Sequence, residues 1–168
     1  MKKQILKAIG GVSLAIFALV VFAQVWVSAQ EQNNNEQGLV GSWDVQVTVR
    51  DCHTGLPIPF IPIFPAMITY NQGGTMQESD LGGPGLVRLL GHGVWSHQNG
   101  RQYSAAFQWL NFLPDRTPVG KNVVRETIRL GRGGNTYTST ATVVALDANG
   151  DVIPGSEGCV TETARRFQ

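Results

Sequence analysis

Beyond residue 30 this 168-residue chain has no long amphipathic helix pattern and a single lysine, Lys121. It has two cysteines, Cys52 and Cys159, and no run of like charge longer than Arg165-Arg166. Each shortage excludes something. Without a basic stripe or run, nucleic acid is not an expected partner. No Gly-x-Ser-x-Gly elbow and no nucleotide-binding glycine motif occurs, so neither the α/β-hydrolase nor the dinucleotide or P-loop chemistries are implied. Two cysteines are too few for a thiolate metal site, and no further ligands stand at the usual spacing. His92 and His97 lie on one strand-like run with opposite parity, and His53 follows Cys52, so the three histidines make no metal site either. Asp147-Ala148-Asn149-Gly150-Asp151 begins like a calcium loop. It lacks the glycine and glutamate that such a loop needs at its sixth and twelfth positions, and reads as a hairpin turn. No metal and no cofactor is expected.

The amino-terminal stretch is a targeting segment. Lys2, Lys3 and Lys7 precede an apolar run over residues 8–27, and Val27-Ser28-Ala29 resembles a small-residue cleavage site. Residues 1–29 are therefore read as a signal peptide, giving a secreted, periplasmic or otherwise extracytoplasmic protein. If uncleaved, residues 8–27 approach the ~20 residues of a bilayer span and would anchor it. Residues 30–38, with Asn33-Asn34-Asn35 and no bulky apolar side chain, form a flexible linker. Residues 39–168 are long enough for one domain with its own core. From residue 30 onward ten basic residues face twelve acids, a formal charge of −2. Two cysteines in an exported chain either pair as one disulfide, Cys52–Cys159, or remain two thiols.

What fills the domain is a succession of strand-like runs separated by Gly, Pro, Asn and Asp clusters, the pattern of an all-β fold. In the first, Trp43, Val45, Val47 and Val49 alternate with Asp44, Gln46 and Thr48, the period of a half-buried strand. Further runs are 66–71, 75–80, 88–98, 101–112, 121–130, 135–146 and 159–167. Short links at 71–74, 98–100, 132–134 and 148–150 force antiparallel pairing of successive strands. A Cys52–Cys159 bond makes the first and last strands neighbours. About eight antiparallel strands then close into an up-and-down β-barrel. With the cysteines opposite one another, Val45 faces Arg166 and Gln46 faces Arg165.

Gly41-Ser42-Trp43 at the head of the first strand resembles the Gly-x-Trp signature of lipocalins and the wider calycin group. That resemblance implies a lipocalin-like barrel in which the tryptophan closes one end beneath an arginine from the last strand, here Arg165 or Arg166. The chain is also similar in architecture to allene oxide cyclase-type barrels, which include cyclising enzymes.

The inward face decides what such a barrel does. A three-residue loop at Gln98–Gly100 pairs His97 with Arg101, Trp95 with Tyr103 and Gly93 with Ala105. Trp95, Tyr103, Ala105, Phe107 and Trp109 then point inward, with Tyr137, Ser139, Ala141 and Val143 and with Val124, Glu126, Ile128 and Leu130. A two-residue Asn99-Gly100 turn would move Trp95 to the other face. These side chains either line a pocket for a small hydrophobic molecule or fill the barrel as core. Glu126 is the sharpest candidate, because a carboxylate inside a barrel must be bonded or neutralised. With Tyr103 or Tyr137 it is the catalytic candidate if the protein is an enzyme. The segment 55–66 holds four prolines among Leu56, Ile58, Phe60, Ile61, Ile63 and Phe64. It reads as a lid placing Phe60 and Phe64 against the ligand, or as a plug, or as a membrane or homo-oligomer contact. A second segment, 81–90, lines the same mouth.

The leading expectation is a secreted barrel binding a small hydrophobic molecule. The alternatives are an isomerase or cyclase of the same fold and a structural, envelope-associated barrel without ligand.

Overall fold

The computed structural model describes residues 38–82 and 85–167. The signal-peptide and linker assignments lie outside these residues, except for Gly38. Nine strands form in chain order: β1 Gly41–Arg50, β2 Phe64–Tyr70, β3 Thr75–Asp80, β4 Val87–Arg88, β5 Gly91–Asn99, β6 Gln102–Phe112, β7 Pro118–Leu130, β8 Thr136–Leu146 and β9 Gly158–Arg166. All neighbours are antiparallel. Pairing of β6 with β7 and of β1 with β9 closes eight strands into an up-and-down barrel, and β4 is an extra short strand against the end of β6. The run expected over 88–98 is thus two elements, because Leu89 and Leu90 turn the chain between β4 and β5.

Alternation carries the core. Trp43, Val45 and Val47 of β1 are buried while Asp44 and Gln46 between them are exposed. β7 and β8 repeat the pattern over Val124–Leu130 and Tyr137–Ala141. Glycine at two inward positions of β5 makes room for a neighbour. A Cβ on Gly93 would stand 2.4 Å from Cβ of Phe107, its partner on β6. The Phe107 ring therefore lies across β5 into the barrel, a close approach that only glycine permits.

Cys52 and Cys159 form a disulfide with Cα atoms 5.2 Å apart. The register around it differs from the one expected. Arg50, not Cys52, faces Cys159, so Val45 pairs with Ala164 and Gln46 with Thr163. Cys52 lies past the end of β1, in the turn that follows, and reaches back to β9 from there. The displacement is two residues, which leaves every side chain on its expected face.

The β5–β6 hairpin differs in a similar way. Its loop is Gly100-Arg101, because Asn99 pairs with Gln102, and the register shifts between His97 and Asn99. His97 faces Tyr103 and Trp95 faces Ala105. A two-residue loop alone would have exchanged the faces, but Gln98, unpaired in a β-bulge, restores them. The turn at Ala148-Asn149-Gly150 also forms, with Gly150 at φ 92°. It returns only as far as an isolated bridge, Leu146 to Val152, before the chain runs on to β9.

The candidate functional site inside the barrel

At the end where β1 begins, the barrel is packed solid with rings. Trp43, Tyr70 and Tyr137 are fully buried, with Leu39 beneath them. The Trp43 and Tyr137 rings meet edge to face at 4.9 Å between centroids, and Tyr70 touches both Tyr137 and Trp95. The Trp43 indole donates to the Leu39 carbonyl at 2.9 Å. Arg166 places its guanidinium 4.3 Å over the same indole and donates to the carbonyls of Gly38, Val40 and Gly134.

Above this floor lies a polar layer. Glu126 of β7 and Glu162 of β9 are both buried, separated by β8, whose Ser139 is also buried. Ser139 donates to Oε2 of Glu162 at 3.0 Å, and the Tyr70 hydroxyl donates to Oε2 of Glu126 at 3.4 Å. Burial raises the pKa of Glu126, against hydrogen bonds from Glu162, Ser139 and Tyr70 that lower it. Burial raises Glu162 well above the glutamate range, and the charge of Glu126 raises it further. Two carboxylates this close and this dry do not ionise together, so one proton stays between them. Oε1 of Glu126 is buried without a hydrogen-bond partner. The Tyr137 hydroxyl lies beside Tyr70 and Glu162 yet meets neither in hydrogen-bonding geometry. It and Oε1 of Glu126 are the buried side-chain polar atoms among the described residues that have no hydrogen-bond partner. Burial raises the phenols of Tyr70 and Tyr137 well above 10, so both remain donors.

The third layer is at the mouth. There Arg88 of β4 turns inward. Its guanidinium pairs with Glu78 and Asp80 and stacks 4.0 Å from the centroid of Trp109. Only 6% of the Arg88 side chain is exposed. Burial lifts Glu78 to about 7 despite the opposing charge of Arg88. Arg88 is thus the group that stoppers the barrel.

Among the residues singled out from sequence, Glu126, Tyr103, Tyr137, Phe107 and Ile128 are buried in one interior cluster. Trp95 and Trp109 pack against it half-buried. The proline-rich segment behaves otherwise. Its Pro57 bridges back to Arg50, Phe64 packs on the edge of the core, and Phe60 is 94% exposed. Phe60 therefore touches nothing inside the barrel.

Glu162, Glu78, Tyr70 and Arg88 escaped notice in the sequence. Glu162 stands between Val160 and Ala164 in the same parity that marked Glu126, and Glu78 shares parity with Met76, so both were readable. Arg88 was not, because a two-residue strand carries no alternation.

No group of three or more metal-ligating side chains occurs among the described residues, and none of their helices is long and apolar enough to cross a membrane. No protein-family model matches the chain, and no curated protein or solved structure is significantly similar to it.

Proposed function

We propose that this is an exported barrel that takes a small, largely apolar molecule into its interior, with the polar end of the ligand held at Tyr137 and the Glu126–Glu162 pair. One observation carries this reading: the Tyr137 hydroxyl and Oε1 of Glu126 are buried without a partner, next to the rings that fill one end of the barrel. A buried donor left unmade costs about 1–3 kcal/mol, and a bound ligand or water would recover it. The disulfide fits an oxidising, extracytoplasmic compartment. Gly41-Ser42-Trp43 with Arg166 over the indole supports kinship with the calycin barrels.

The entrance in this reading is the end stoppered by Arg88. The up-and-down course of the strands puts residues 51–63, 81–82, 85–90, 113–117 and 147–157 at that end. They expose Leu56, Phe60, Ile63, Leu81, Leu89, Leu90 and Val152. Such a rim suits collection of an apolar ligand from a lipid surface. Titration with Nile red tests the proposal. Saturable one-to-one binding that quenches emission from Trp95 and Trp109 is expected. A folded protein that takes up no probe would leave a filled, structural barrel.

The shared proton favours one second reading, an isomerase or cyclase in which Glu126 and Glu162 exchange a proton with the substrate. A pair of carboxyls pushed to different affinities is the arrangement acid–base catalysis uses.

A further inference from the structure

The formal charge of −2 from residue 30 onward conceals a segregation. Glu78, Glu126 and Glu162 face the interior, and Asp115, Asp147, Asp151 and Glu157 sit in loops. The outer face of β1, β9, β8 and β7 is left with Arg50, Arg165, Arg129 and Arg125, and Arg101 stands beside it in the β5–β6 turn. Against them are Asp44 on the face and Asp51 at its margin. The salt bridges among the described residues belong to Arg88, so none of the five outer guanidiniums holds a carboxylate. The sequence concealed this basic surface, because alternation scatters its arginines along four strands.

Between the arginines runs a file of hydroxyls. Thr48 faces Thr161, Thr161 faces Thr140, Thr140 faces Thr127, Thr127 faces Ser104, and Ser104 faces Ser96. Six strands thus present one hydroxyl each in direct register, at about 4.8 Å from strand to strand. The short side chains leave the surface hollow. One trough of about 940 Å³ is lined by Ser104, Arg125, Thr127, Thr140 and Thr161. A second, of about 660 Å³, is lined by Asp44, Arg101, Arg129, Thr138 and Arg165. Arg129 and Thr138 are the next outward positions after Thr127 and Thr140, so the two troughs adjoin.

We infer that this outer face binds a linear acidic polysaccharide. The guanidinium fork matches a carboxylate in two parallel hydrogen bonds, and threonine and serine hydroxyls exchange hydrogen bonds with sugar hydroxyls. A shallow, elongated hollow admits a single chain and keeps a flat bilayer from its floor. The outward positions of β1, β7 and β8 hold no aromatic ring and Phe167 stands alone just past β9, so nucleic-acid bases find no row of stacking platforms. The inference is independent of what the interior holds.

Affinity electrophoresis of the purified protein through gels containing polygalacturonate tests it, with dextran as the neutral control. Retardation by polygalacturonate but not dextran is expected, declining steeply with salt. Arg125→Gln combined with Arg129→Gln should weaken retardation at least tenfold, while Arg116→Gln, on the β6–β7 loop, leaves it unchanged. These arginines are exposed, so the melting temperature should stay the same, and a lowered one would be read with the single Arg125→Gln variant instead. Absence of retardation would overturn the inference. So would retardation indifferent to both arginine variants, equal retention by single-stranded DNA, binding to anionic vesicles alone, or a concentration-dependent dimer that the double variant abolishes.

Discussion

Arg166 lies over Trp43, with its guanidinium carbon 4.3 Å from the ring centroid, and the two residues face each other across the β1–β9 ladder. The contact is a cation–π pair whose cation is also anchored by backbone carbonyls of Gly38, Val40 and Gly134. Burial lowers the Arg166 pKa, but an arginine remains charged at any physiological pH. One end of the barrel is therefore closed by residues from its first and last strands.

Trp43→Ala removes the largest fully buried side chain of that end. It should destabilise the protein by about 3–5 kcal/mol, the range for emptying a large aromatic site. Urea unfolding followed by circular dichroism gives the number. A variant that unfolds at the parent's midpoint would mean that Trp43 supports nothing.

The interior carboxyls set the pH dependence. Glu78 titrates near 7 in the folded protein and near 4.5 when unfolded. The folded state therefore holds the extra proton between those values. Stability attributable to Glu78 is fully present below about 4.5 and is lost as pH rises through 7. The loss is on the order of 3 kcal/mol, and Glu126 and Glu162 act in the same direction. Thermal melts from pH 4 to 8 should show a falling melting temperature. Glu78→Gln should flatten that slope; a profile rising toward pH 8 would contradict the burial argument.

Glu126→Gln distinguishes a binder from an enzyme. The amide keeps the shape and removes the ionisable group. Nile red affinity should stay within a few fold of the parent. If Glu126 is an acid–base group, turnover of a substrate found by screening should fall by roughly 10²–10⁴-fold with binding retained. Loss of probe binding in a folded variant would instead make the carboxyl a ligand contact.

The disulfide can be checked by thiol titration of the exported, denatured protein, which should find no free thiol. Reduction frees a loop of 107 residues and should lower stability by about 4–5 kcal/mol in the chain-entropy picture. Unchanged stability after reduction would show that strand pairing alone holds β1 to β9.

Parity was the legible part of this fold. Runs such as Val124-Arg125-Glu126-Thr127-Ile128 declare their buried side, and the two cysteines declare which strands meet. Register was less legible. The position of Cys52 in the turn moved the ladder by two residues, and the bulge at Gln98 left no signature beyond a polar run. Glu126 could be found because valine and isoleucine flank it. That it shares a proton with Glu162 depends on three strands lying side by side, which alternation within one strand does not encode. Arg88 entered the barrel for a reason sequence patterning cannot express: Glu78 and Asp80, on another strand, need its charge.

The ladder between β1 and β9 has a consequence for how the protein comes into being. Val45 cannot meet Ala164 until almost the whole chain is available. Every other strand pair except β3–β5 and β4–β6 joins segments linked by a direct turn or loop, but this seam spans the domain. Closure is therefore the last event of assembly, and a topology weighted toward such distant contacts folds slowly. Until β9 is available, β1 is a strand with an open edge and no partner on that side, and the Cys52–Cys159 bond can lock the cylinder only after the two strands have met.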